Sequence, residues 1–332
     1  MPKLKRTKVY ITVDTEASIA GCFSDPSRYQ PLLDEPVFGY VNGQSEALGF
    51  ILRTLKESEL KATFFTESLQ GRYFGNDKMA RVAEQIIAHG QDLQLHVHPC
   101  WTNFEEGAVV STVYNDHATG RSVSELVSIF SEAIDRFVQW GFGKPVAVRT
   151  GNFSAGLDTF QAFSQLDIKS SSNISIELCP AKEKELHLNL GVHNIHGVLE
   201  LPLTTYSTFN FQGKAKPRSL TITATSTSEM LSILEQAHAQ QLDNICILTH
   251  PFEFIKRDDF QFNNMGVHKL NQQRFQALCQ FIEKNNDRFE TAIFKDLTLN
   301  NVKSYPDNIV LRSSYIQSLI RASQNFIYDK TA

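Results

Sequence analysis

Leu93-Gln94-Leu95-His96-Val97-His98-Pro99-Cys100-Trp101 is an apolar, strand-like run that delivers two histidines, two residues apart, at its end. Side chains at i and i+2 of a strand point to the same face, so both imidazoles can reach one metal ion. Pro99 has no N–H to give to a ladder and marks the point where strand turns into loop. In α/β proteins that edge, outside the carboxyl ends of the strands, is where active sites are built.

Outward from this run, short apolar stretches alternate with helical patterns. Strands are predicted at residues 9–13, 62–66, 92–96, 146–149, 168–170, 199–202, 245–249 and 291–294. Helices are predicted at 45–58, 77–89, 122–140, 157–166, 226–240 and 269–285. Leu48, Ile51, Leu52 and Leu55 keep helical spacing, as do Leu126, Ile129, Phe130, Ile134 and Phe137. The alternation implies an α/β fold with a parallel sheet, and this many units imply a closed or nearly closed, distorted (β/α) barrel. Two stretches break the rhythm: 21–43, rich in Pro, Asp and Gly, and 171–219, mixed polar and β-like. Irregular insertions of this kind shape clefts. A short terminal helix is expected at 314–323. No linker demands a second domain, so one domain is expected over 1–332, with its core at about 8–295 and an extension at 296–332.

The chain has 332 residues, 42% of them hydrophobic and 20% charged, and a net charge of −4. That composition is ordinary for a soluble globular protein, and with no basic excess nucleic acid is not an expected partner. The first residues run directly into a strand pattern, too short and polar for a signal peptide or a membrane span. Cys22, Cys100, Cys179, Cys246 and Cys279 are odd in number and scattered, without disulfide-framework or zinc-ribbon spacing. A reduced, cytoplasmic setting is the expectation. The sequence is silent on oligomeric state.

Three more strand ends carry chemistry. Thr12-Val13-Asp14-Thr15-Glu16 places two carboxylates on one face. A metal-activated water needs a metal ligand and a separate base, and this pair can divide those tasks. Val148-Arg149-Thr150-Gly151-Asn152-Phe153 offers an arginine to hold a carboxylate ionised and a glycine for a tight approach beside a ligand. Leu248-Thr249-His250-Pro251-Phe252-Glu253 offers His250 as a general acid, with Glu253 either orienting it or simply exposed. In a parallel fold these ends share one face, and together they supply the parts of metal-assisted hydrolysis.

Taken in this order, the segments resemble the polysaccharide deacetylase (NodB-homology) family of carbohydrate esterases, over roughly Val9 to Phe294. Asp14-Thr15-Glu16 looks like the first motif, Ala62-Thr63-Phe64-Phe65 the strand after it, and His96-Val97-His98-Pro99 the histidine motif. Arg149 with Gly151 looks like the arginine motif, Glu200-Leu201-Pro202 is in place for a fourth, and Leu248-Thr249-His250 resembles the last. The resemblance implies a divalent metal, most often zinc, held by a carboxylate and two histidines, and hydrolysis of an N-acetyl group on an amino sugar or saccharide. It makes Asp14 the base and Glu16, His96 and His98 the metal ligands, with Asp14 or Cys100 as alternative ligands; Arg149 holds Asp14, and His250 is the acid. Two departures stand out. Thr15 replaces the usual second aspartate, and the histidines are spaced by two rather than four, with Cys100 at the fourth place. Trp101, Gly151, Asn152, Phe153, Phe252 and Glu253 are the expected substrate-binding set, the aromatics serving as apolar walls or as ordinary packing. The Val13-Asp14-Thr15-Glu16 start and the His98-Pro99-x-Trp101 stretch look like the branch linked to capsule and lipopolysaccharide synthesis. The alternatives are an amidohydrolase-type enzyme acting on another C–N bond, and an inactive saccharide-binding barrel.

Overall fold

The computed structural model describes residues 5–209, 213–303, 305 and 309–330. Eight segments form the parallel framework: β1 (Thr7–Thr15), β2 (Thr63–Glu67), β3 (Asp92–Val97), β4 (Ala147–Thr150), β5 (Ser170–Ser171), β6 (Val198–Glu200), β7 (Asn244–Thr249) and β8 (Phe289–Thr291). Their order is β6-β5-β4-β3-β2-β1-β7, so chain neighbours are mostly sheet neighbours. β8 pairs with Thr7 to Val9 of β1, and β2 takes over the same edge from Thr12 to Thr15. A short antiparallel strand, His193–Ile195, flanks β6.

The sheet curls until its ends nearly meet. Between β6 and β7 the chain supplies single backbone bonds instead of a full strand. Leu203 N donates to Ile174 O at 2.9 Å, Thr204 N to Cys246 O at 3.2 Å and Ile222 N to Leu248 O at 3.1 Å. The distorted barrel expected from the alternation is therefore what forms. Pro202 explains why predicted strand 199–202 stops at Glu200, because proline cannot extend a ladder. The final strand is displaced in the same way. Predicted at 291–294, it runs Phe289–Thr291, and Phe294 instead plugs the amino end of the barrel, edge-on to Tyr10 at 5.4 Å and to Phe65 at 5.1 Å.

Every strand of the centre is buried on both faces, as a parallel sheet requires. On β1, Val9, Ile11 and Val13 face the helices, while Tyr10 joins Phe65, Ala147, Cys246 and Leu248 inside the barrel. Thr12 and Asp14 continue the inward row, so polarity rises toward the carboxyl end. The helices are α1 (Leu48–Glu57), α2 (Asn76–Ala88), α3 (Val123–Val138), α4 (Leu157–Gln165), α5 (Thr227–Ala239), α6 (Lys269–Lys284) and α7 (Tyr315–Lys330). α3 and α5 start at capping boxes, Ser122 with Glu125 and Ser226 with Glu229. α3 buries Leu126, Phe130, Ile134 and Phe137 of the predicted stripe, together with Ala133, and Ile129 lies at its margin.

The two insertions are more ordered than their composition suggests. Residues 21–43 hold a helical turn, Asp34–Val37, and the first strand of a small ladder, Tyr40–Val41 with Gln44–Ser45. Residues 171–219 hold β6, its antiparallel neighbour and a hairpin, Thr205–Phe209 with Ala215–Ser219. The terminal helix expected at 314–323 extends to Lys330. All five cysteines are free, and among the described residues no helix is long and apolar enough to cross a membrane.

Candidate active site

At the carboxyl end of the barrel, Asp14 and Arg149 face each other across the interior. Asp14 is 2% exposed and Arg149 is fully buried. Arg149 Nη1 donates to Asp14 Oδ1 at 2.7 Å and to Thr12 Oγ1 at 2.9 Å. Its Nη2 donates to Ser172 Oγ at 2.7 Å and its Nε to Ser172 O at 2.9 Å. Phe65 and Phe153 lie against the guanidinium, at 4.5 and 5.1 Å. A buried ion pair survives only when its remaining donors are served, and these partners serve them.

Beside this pair, Glu16 Oε2, His96 Nε2 and His98 Nε2 all lie within 4.8 Å of one another. Glu16 Oε2 is 2.8 Å from His98 Nε2 and 3.5 Å from His96 Nε2. The opposite ring nitrogens are fixed by acceptors. His96 Nδ1 faces Arg149 O at 2.9 Å, and His98 Nδ1 faces Asp116 Oδ2 at 2.7 Å. An acceptor at Nδ1 places the hydrogen there and aims the Nε2 lone pair at Glu16. Two lone pairs converging on a carboxylate are favourable only with positive charge among them. A proton or a cation can supply it. Burial opposes charge on His98, yet Glu16 and Asp116 outweigh it and hold its pKa well above the imidazole range. Burial also opposes charge on Glu16, and the two histidines hold it well below the carboxylate range. A divalent cation satisfies the same three atoms, and a two-nitrogen, one-oxygen set leaving a position open fits zinc in a catalytic site.

His250 stands on the far side of Asp14, its Nε2 3.9 Å from Asp14 Oδ2. Its Nδ1 meets Glu253 Oε1 at 3.0 Å, and Glu253 Oε2 accepts from Thr249 Oγ1 at 2.7 Å and from the His250 N–H at 3.1 Å. Glu253 thus orients His250, the first of its two sequence readings. Burial works against the imidazolium, but Glu253 and then Asp14 push its pKa up to about 9.

Asp14, Glu16, His96, His98 and His250 line one cavity of about 290 Å³, together with Asn152, Phe153, Leu178 and Leu248. Of the expected substrate-binding residues, only Asn152 and Phe153 lie in this wall. Trp101 does not: it sits in the short helical turn Pro99–Asn103 and is 2% exposed, packed on Phe104 at 4.7 Å and Phe74 at 5.9 Å. Phe252 stacks behind His250 at 4.8 Å. Gly151 is needed for a close approach of backbone to imidazole, since a Cβ there would stand 2.2 Å from His98 Nδ1. Asn152 and Phe153 follow it with φ of 57° and 53°, a left-handed pair that places both side chains at the site. Cys100 lies on the Nδ1 side of His98, grouped with Asp116 and away from Glu16 and His96, so as an alternative ligand it would complete a different set. Asp14 belongs to neither of these groups.

Three contributors were not read from the sequence. Asp116 accepts from His98 Nδ1 and from Asn152 Nδ2, at 2.7 Å each, and from the Cys100 N–H at 3.2 Å. Glu67 is buried and accepts from the N–H groups of His98 and Leu69, and burial pushes its pKa up to about 8. Leu178, half exposed, lines the cavity mouth from the long insertion. Glu67 ends a strand and was open to the rule that found Asp14; Asp116 and Leu178 sit in loops with no periodic signal. Asp116→Asn removes the charge that fixes the His98 ring, and metal affinity is expected to fall roughly 10- to 100-fold. Competition with a chelator of known affinity reads this directly; unchanged affinity would show that Asp116 does not support the site.

No protein-family model matches the chain, and no curated protein does. Solved structures are similar over most of its length. One from Mycobacterium smegmatis, described as a polysaccharide deacetylase, is 12% identical, with 98% of this chain and 93% of that one covered and a TM-score of 0.49. A family 4 carbohydrate esterase from Streptomyces lividans, in complex with acetate, is 11% identical with 91% and 98% covered and a TM-score of 0.43. A pseudoenzyme of the same esterase family from Bacillus anthracis is 10% identical with 88% and 66% covered and a TM-score of 0.44.

Proposed function

We propose that this protein is a metal-dependent hydrolase that removes an N-acetyl group from an amino sugar or saccharide. The observation that carries the reading is the convergence of Glu16 Oε2, His96 Nε2 and His98 Nε2 in a cavity that also holds Asp14 and His250. The motif resemblance adds the substrate class. It also favours the branch linked to capsule and lipopolysaccharide synthesis, so an intracellular amino-sugar precursor of surface polysaccharide is the proposed substrate. The His-x-His pair lies on the third strand, whereas amidohydrolase-type barrels carry theirs on the first, which favours the deacetylase reading.

Glu16, His96 and His98 would hold the cation. When bound, a divalent cation supplies Lewis acidity, polarising the acetyl carbonyl and acidifying water. Arg149 Nη1 holds Asp14 Oδ1 at 2.7 Å and so fixes the carboxylate in place to take a proton from the attacking water. The water oxygen bonds to the acetyl carbon, the C–N bond breaks, and His250 gives its proton to the departing nitrogen. Acetate and a free amine result. Phe153, Leu178 and Leu248 exclude water from around the acetyl methyl group.

Acetate release from N-acetylated chito-oligosaccharides and from a nucleotide-linked N-acetyl sugar, with stripped and metal-reloaded protein, tests the reading. Release only after reloading is the expected result, and no release from either substrate overturns it. His250 must be protonated to act, and its proton is lost as pH rises through about 9. A bound dication lowers that value, so the alkaline fall in rate is expected at or below about pH 9. A rate still rising beyond that pH would remove His250 as the acid.

A further inference from the structure

Away from this site, a second cavity of about 260 Å³ opens between the paired strands Thr205–Phe209 and Ala215–Ser219 and α7. Phe209, Lys216, Arg218, Tyr315, Leu319 and Arg321 are in its wall. Lys216 lies opposite Thr208 and Arg218 opposite Tyr206, so the two cations share one strand face. Arg321 is already committed, with Nη1 on Glu229 Oε1 at 2.6 Å and Thr208 Oγ1 at 3.2 Å. Among the described residues, Lys216 and Arg218 form no ion pair, and Arg218 Nε is buried without a hydrogen-bond partner. A buried donor left unserved is costly, and an incoming anion would serve it. From Tyr315 to Tyr328 the helix carries no carboxylate, in a chain whose net charge is −4.

The same helix exposes an apolar stripe. Tyr315 is 44% exposed, Ile316 69%, Leu319 39% and Ile320 41%. Offsets of zero, one, four and five residues lie on one helical face. Tyr315 and Leu319 border the cavity, and Ile316 and Ile320 carry the stripe away from it.

We propose that this face docks on an anionic phospholipid surface. A headgroup phosphate sits between Lys216 and Arg218, and the stripe lies at the boundary of headgroups and acyl chains. Charge and shape select this occupant. A free phosphate would satisfy the cations but leave Ile316 and Ile320 in water. A second copy related by a two-fold axis would bring the same uncompensated cations toward each other.

Sedimentation with vesicles of phosphatidylcholine, with and without phosphatidylglycerol, tests the proposal on the full chain. Binding is expected only with phosphatidylglycerol, weakening as salt is added. The Lys216→Ala/Arg218→Ala variant should bind roughly tenfold or more weakly, because each cation near such a surface adds about 1 kcal/mol. Ile316→Ser/Ile320→Ser, at exposed positions and checked by circular dichroism for an intact fold, should also release the protein. Equal binding to both vesicles, no binding, or binding indifferent to both variants overturns the proposal. Binding of inorganic phosphate without vesicle binding, or a dimer in solution that ignores vesicles, overturns it too.

Discussion

Asp14→Asn is expected to keep the metal and to lower acetate release by roughly 10²- to 10⁴-fold, the range that loss of a positioned general base produces. The substitution preserves shape. An asparagine carbonyl can still accept from Arg149 Nη1, which now lies 2.7 Å from Asp14 Oδ1. It cannot take a proton from water. The three atoms proposed to hold the cation belong to Glu16, His96 and His98, so their geometry is untouched. Metal content and kcat therefore separate: content stays, kcat collapses. If both fell together, Asp14 would be a ligand rather than the base, and the division of labour between Asp14 and Glu16 would be reversed. If neither fell, the hydrolytic reading of this end of the barrel would fail.

Arg149→Leu is expected to be the most destabilising single substitution at the site, by about 3–5 kcal/mol, because it leaves a buried carboxylate without its partner. Five hydrogen bonds end at this guanidinium, the fifth a long one from Nη2 to Cys246 Sγ at 3.9 Å, and they join β1, β4, β7 and the segment after β5 across the barrel. The loss is larger than one ion pair suggests, since the buried oxygens of Ser172 and Thr12 that accept from Arg149 lose that donor. Arg149→Lys should recover only part of it: an ammonium keeps the charge but cannot match a planar fork that serves Asp14 and Ser172 together. Urea unfolding reads the series. A leucine variant within 1 kcal/mol of the parent protein would mean that the pair does not hold the barrel's carboxyl end together.

The order of these effects explains what the sequence could and could not reveal. Residues fixed by strand periodicity were legible: His96 with His98 and Asp14 with Glu16 project together because the side-chain period of a strand is two. The alternation of strands and helices revealed the barrel for the same reason. Trp101 takes the second of its two readings, ordinary packing, because Pro99 starts a helical turn that carries it back into the core, against Phe104 and Phe74. Asp116 was invisible for the opposite reason. It lies 18 residues beyond His98 in sequence, in a loop without repeat, and only the folded path brings it to His98 Nδ1. Phe252 and Glu253 show the intermediate case. Expected to bind substrate, they support His250 from behind rather than lining the cavity.

Glu16, His96 and His98 stand or fall as a metal centre on whether they bind a cation together. The most direct measurement is a calorimetric titration of stripped protein with zinc, repeated on His96→Ala, His98→Ala and Cys100→Ser. One site per chain is expected in the parent protein, with loss of that site in both histidine variants and retention in the cysteine variant. Binding that survives both histidine substitutions, or is abolished by Cys100→Ser alone, would contradict that expectation.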